Sequence, residues 1–146
     1  MLVSDLSKYL QVIGRSINGV TLEFNPHIQC DGDLVSIARR RGSCVIGRVT
    51  CQGGDFDTCD KSLELGEEGE AFYDRLMFHI IDALIGFARD YGTHVDILLG
   101  PLFPSVVDWG VWAVFRPGGV KCHVFLGTPQ EVGGGVVYDV VMECRA

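Results

Sequence analysis

Positive charge is scarce in this chain: 12 Lys and Arg stand against 19 Asp and Glu, a formal net charge of −7. A nucleic-acid binder normally presents a basic face, so nucleic acid is not expected as a partner. Long apolar runs are missing as well. No stretch of about 18 apolar residues occurs, so no helix is expected to span a membrane. The opening Met1-Leu2-Val3-Ser4-Asp5 has neither the positive region nor the apolar core of a secretory signal. Signature motifs are equally absent. Gly53-Gly54, Gly118-Gly119 and Gly133-Gly134-Gly135 match no Walker or dinucleotide fingerprint. Asp55-Phe56-Asp57-Thr58-Cys59-Asp60 lacks the further ligands, central glycine and distal Glu of an EF-hand loop, and reads as a solvated acidic loop. No C-x-x-C pair occurs, and Cys44, Cys51 and Cys59 are too far apart for a zinc knuckle.

What is present is one domain's worth of core. The 146 residues are 47% hydrophobic and 21% charged, which fits a single α+β domain over 1–146. Six cysteines are many for this length, and Cys44, Cys122 and Cys144 fall in apolar strand patterns. A chain this long builds a core without staples, so the expectation is reduced, small, buried side chains in a cytoplasmic protein.

Periodicity gives the order of elements. Leu6, Tyr9, Leu10, Ile13 and Ile17 recur at helical spacing after a Ser4 cap, which predicts a first helix ended by Asn18-Gly19. Val20–Phe24 alternates as a strand. Leu34–Arg40 and Ser43–Cys51 predict a hairpin about Arg41-Gly42, followed by an acidic loop over Asp55–Glu70. The strongest pattern is a long amphipathic helix over Glu67–Tyr91. Phe72, Leu76, Ile80, Leu84, Phe87 and Tyr91 form one stripe, and Arg75, His79, Asp82, Gly86 and Arg89 lie opposite. The last third is β: Val95–Leu99, a hairpin of Val111–Arg116 and Val120–Leu126 around Pro117-Gly118-Gly119, and a closing strand over Val136–Cys144. Val136, Tyr138, Val140, Met142 and Cys144 are apolar throughout, whereas Val137, Asp139, Val141 and Glu143 are mixed. That contrast predicts a mostly antiparallel sheet with one packed and one partly wet face, carrying a short N-terminal helix and the long helix.

Candidate chemistry is thin. Cys122-His123 has the composition of a nucleophile and base, but neighbours on a strand point to opposite faces; a partner would have to be His27, His79 or His94. His79 and Asp82, i and i+3 on the polar side of the long helix, read as surface decoration. Arg39-Arg40-Arg41 could contact an anion or simply form a solvated turn. The run from Leu98 to Trp109 is almost uncharged, holds two prolines and would make a poor water-facing surface. It predicts an interface through Leu102, Phe103, Val106, Val107 and Trp109, with Trp112 nearby.

The opening Met1-Leu2-Val3-Ser4-Asp5-Leu6-Ser7-Lys8-Tyr9-Leu10 resembles the first helix of phage tail-terminator and minor-capsid (head–tail joining) proteins. The order of short helix, hairpin, long helix and strands, ending in Val137-Tyr138-Asp139-Val140-Val141-Met142, is similar to theirs across most of the chain. The cysteine count and the length of the Pro101–Trp109 segment depart from that pattern. The resemblance implies a non-enzymatic virion protein without cofactor: a homo-oligomeric ring that caps the tail tube and meets the head connector. It carries no site residues with it. The alternative is a small acidic binding protein, such as a secretion chaperone, an immunity protein or an inhibitor, that masks a partner protein.

Overall fold

The computed structural model describes residues 1–64, 66–67, 70–99 and 110–146. A short 3-10 helix, Val3–Lys8, is followed by strands β1 (Ile13–Ile17) and β2 (Val20–Pro26). Helix α1 (Leu34–Arg39), strand β3 (Ser43–Gln52) and helix α2 (Phe56–Glu64) come next. The short strands β4 (Gly66–Glu67) and β5 (Glu70–Ala71) lead into the long helix α3 (Phe72–Asp90). Then β6 (His94–Leu99), β7 (Gly110–Arg116), β8 (Val120–Leu126), β9 (Gln130–Val132) and β10 (Gly135–Arg145) complete the chain. The main sheet runs β1-β2-β3-β10-β8-β7-β6, with β9 also on β10 and every neighbouring pair antiparallel. The closing strand therefore lies in the middle of the sheet, between β3 and β8.

Three expected elements change type. Residues 13–17 form a strand, because Ile13 and Ile17 satisfy a period of two as well as a helical one. Both stay buried with exposed Gly14 and Ser16 between them. Asn18 and Gly19 have φ of 53° and 78°, and Ile17 pairs with Val20. This is a two-residue hairpin turn of the type that requires two left-handed residues, not a helix cap. Residues 34–39 form a helix where a strand was expected. The Asp33 carboxylate accepts from the Val35 amide at 2.9 Å, and Leu34, Ile37 and Ala38 bury the i, i+3, i+4 face. The acidic stretch holds α2, capped where the Thr58 amide donates to Asp55 at 2.9 Å, and it buries Cys59, Ser62 and Leu63.

The long helix forms, starting at Phe72. Phe72, Leu76, Ile80, Leu84 and Phe87 of the expected stripe are buried, while Tyr91 is 37% exposed. The closing strand also follows its pattern: Val136, Tyr138, Val140, Met142 and Cys144 enter the core, with Val137, Asp139 and Val141 half-buried behind them and Glu143 exposed.

All six cysteines are paired, which corrects the expectation of reduced side chains. The bridges are Cys30–Cys44, Cys51–Cys59 and Cys122–Cys144. Cys122 and Cys144 face each other in register on β8 and β10. Cys51 at the end of β3 reaches Cys59 on α2, and Cys44 ties the segment after β2 to β3. Tertiary juxtaposition of this kind leaves no trace in sequence spacing.

Candidate functional site

The helices cover one face of the sheet. On the other face, the register aligns Leu98, Trp112, His123 and Glu143 across β6, β7, β8 and β10. One pair along each strand, Gly110, Phe125 and Val141 form a second row. Trp112 and His123 stack face to face with centroids 4.3 Å apart and planes within 5°. Phe125 leans on the other side of His123, at 4.9 Å. The Arg145 guanidinium lies 5.5 Å from the Trp112 ring centroid, within reach of its π face. Gly110 makes room for the imidazole, since a Cβ there would fall 2.3 Å from His123 Nε2. Leu98 extends the row to the edge strand at 60% exposure.

This aromatic ladder forms one wall of a cavity of about 280 Å³ lined by Arg41, Trp112, His123, Glu143, Cys144 and Arg145. Arg41 arrives from the end of α1. Its φ of 51° is a left-handed conformation that non-glycine residues seldom adopt. The Cys144 amide donates to the Gly42 carbonyl at 3.1 Å, which ties that turn to β10. Trp112 Nε1 is buried and has no hydrogen-bond partner among the described residues. A buried indole N–H without an acceptor carries a desolvation penalty that an incoming carbonyl or carboxylate would relieve. Two sequence candidates, Trp112 and Arg41, thus meet in one place. Arg39 and Arg40 are exposed on the last turn of α1. Leu102, Phe103, Val106, Val107 and Trp109 lie outside the described residues. His123, Phe125, Glu143 and Arg145 were missed, because their alignment depends on strand register.

Charge is polarised along the central strands. Arg39-Arg40-Arg41 immediately precede β3, and Arg145 at the end of β10 pairs with Lys121 at the start of β8. These five are among the chain's 12 cations, and none makes an ion pair among the described residues. At the other end, β3 leads into Asp55, Asp57, Asp60 and Glu64 of α2 and its cap, and Glu131 of β9 precedes β10. β10 spans 11 residues, about 33 Å, with Glu131 and Asp55 beside its first residue; Asp60 and Glu64 sit part-way along it, near Tyr138 and Leu126, the latter opposite Val140. Arg48 is matched with Asp139 at 3.1 Å part-way along the strands, and Asp96, in the same row as Lys121 and Arg145, is matched with Arg116 and His94 at 2.9 Å.

The catalytic candidates do not assemble. Cys122 points into the core and is bonded to Cys144, so it cannot serve as the nucleophile beside His123. His79 is not surface decoration. It is half-buried, and its Nε2 accepts from the Gln11 amide at 2.9 Å. Burial lowers its pKa, outweighing the opposing pull of Asp82. Among the described residues no three His, Cys, Asp or Glu side chains gather where they could hold a metal ion.

Comparison with protein-family models, with curated proteins and with solved structures finds no match to this chain.

Proposed function

We propose that this chain is a non-enzymatic structural subunit that joins copies of itself head to tail into a closed ring. This is the role implied by the resemblance to phage tail-terminator and head–tail joining proteins, with the tail tube and connector as further partners and the virion tail as its place. One observation carries the reading: Arg39, Arg40, Arg41, Lys121 and Arg145, none in an ion pair among the described residues, collect at one end of β3 and β10 where they outnumber Glu143 and Asp96, and Asp55, Asp57 and Glu131 lie at the other. A head-to-tail contact between unlike surfaces closes into a ring when the rotation per subunit permits. Opposite poles on one subunit supply such unlike surfaces, and the Trp112–His123 ladder beside the basic pole adds a desolvated aromatic anchor.

The test is solution mass by light scattering after size exclusion, with negative-stain images. The screening length falls from about 30 Å at 0.01 M salt to about 3 Å at 1 M. A multi-subunit particle is therefore expected at the lower salt and a smaller one at the higher. Arg41→Glu with Arg145→Glu should give monomer at both, with an unchanged circular dichroism spectrum. A wild-type monomer at both salts removes the ring.

A second reading, a small acidic binding protein that masks a basic partner, is favoured by the three disulfides together with the net charge of −7. Disulfides persist in oxidising compartments. A wild-type monomer that forms a stable complex with a basic protein would favour it.

A further inference from the structure

A second cavity, away from the basic pole, has a different chemistry. It holds about 270 Å³ between α2, the start of α3, the end of β8 and the middle of β10. Its walls include the rings of Phe56, Tyr73 and Tyr138, the buried Leu63, and the carboxylates of Asp60 and Glu64. No Lys, Arg or His lines it among the described residues. We propose that this cavity binds a small protonated organic amine, its ammonium held between the two carboxylates and its carbon skeleton against the aromatic rings.

Each part of the wall favours that ligand over a neutral or anionic one. Aromatic faces carry negative potential and attract an ammonium, most strongly where water is excluded. The Tyr138 hydroxyl donates to Asp60 Oδ1. That bond engages one Asp60 oxygen and leaves the other as an acceptor. Burial together with Asp60 pushes the Tyr138 pKa upward, so the phenol keeps its proton and its role as donor. The lining residues from α2 come from its whole length and include its last residue, Glu64; the carbonyl end of a helix adds negative potential there. Drug-sized ligands occupy about 300–1,000 Å³, so the volume suits a ligand of a few carbons. An anion would meet two carboxylates without a counter-charge.

The probes are benzylammonium, the equally shaped neutral benzyl alcohol, and N-acetyl-lysine N-methylamide as the form an amine takes on a protein. Each is titrated into the full disulfide-bonded chain and followed by amide chemical shifts. Benzylammonium should shift the resonances of residues 56–64, 73 and 138 saturably, with benzyl alcohol weaker by about tenfold or more. Glu64→Gln, at an exposed helix end, should lower benzylammonium affinity severalfold with the spectrum otherwise intact. Asp60→Asn should lower it further. If the lysine derivative binds more tightly than benzylammonium, the amine is a protein side chain; if more weakly, it is a free small molecule. Equal binding of benzylammonium and benzyl alcohol, or no shift with either, overturns the proposal.

Discussion

Gly47 shows how much a single atom decides here. It sits at the irregularity where β3 and β10 slip by one residue, opposite Val140, and a Cβ would fall 2.4 Å from the Phe24 ring and 2.9 Å from the Asn25 carbonyl. Phe24 is wholly buried and has no room to retreat. Gly47→Ala should therefore destabilise the fold by about 1–3 kcal/mol, read as a lower urea midpoint. An unchanged midpoint would mean that the strand yields there. His79 makes a prediction in pH. Its folded pKa is lowered from 6.5 by burial, and the ring accepts a hydrogen bond as the neutral form. The unfolded chain thus takes up a proton that the folded chain resists. The stabilisation is complete above pH 6.5 and is lost as pH falls from there through the lower folded value. His79→Gln keeps an acceptor without titrating. Between about pH 7.5 and about pH 5.5 its melting temperature should fall less than that of the wild type. Parallel decline would remove His79 from the account.

At the scale of elements, two disulfides staple one element to another and the third ties the segment after β2 to β3, with sequence separations of 8, 22 and 14. Closing loops of this length stabilises by about 2–4 kcal/mol per bridge. The native protein should show no thiol reactive to iodoacetamide until it is denatured and reduced, and reduction should lower the melting temperature. Six alkylated cysteines under non-reducing denaturation would refute the pairing. The elements also show why part of the site was hidden. The turn Pro117-Gly118-Gly119 was legible in sequence, but the register was not. The strands close at Phe115↔Val120, which sets Trp112 against His123. A pairing shifted by one residue would have put Trp112 opposite Val124, on the wrong face.

For the whole molecule, the arrangement that matters is polarity rather than net charge. The sequence places Arg39-Arg40-Arg41 before one strand and an acidic run after it, and nothing in that order marks them as opposite poles. They become so because β3 runs on for ten residues through its irregularity at Gly47, and because β10, inserted beside it, ends with Arg145 at the basic end. Asp60 and Glu64 of the amine cavity lie part-way along β10, apart from Arg41 and Arg145, so the two proposals can be separated by substitution. Arg41→Glu with Arg145→Glu should change the oligomer mass and leave amine binding intact, and Glu64→Gln should weaken amine binding.

Local chemistry determined the long helix, the closing strand with its one packed face, the Pro117-Gly118-Gly119 hairpin and the mixed α and antiparallel β class. Each depends on a period or a turn residue acting over a few positions. Ile13 and Ile17 fit two periods at once, and Leu34, Ile37 and Ala38 were outweighed by β-branched neighbours, so their state was settled by what they pack against. Tertiary structure alone decided the cysteine pairing, the Trp112–His123 stack, the arrival of Arg41 beside Arg145 and the aromatic walls around Asp60. Each of these brings together side chains from separate elements, at distances set by sheet order and register, which the linear sequence does not encode locally.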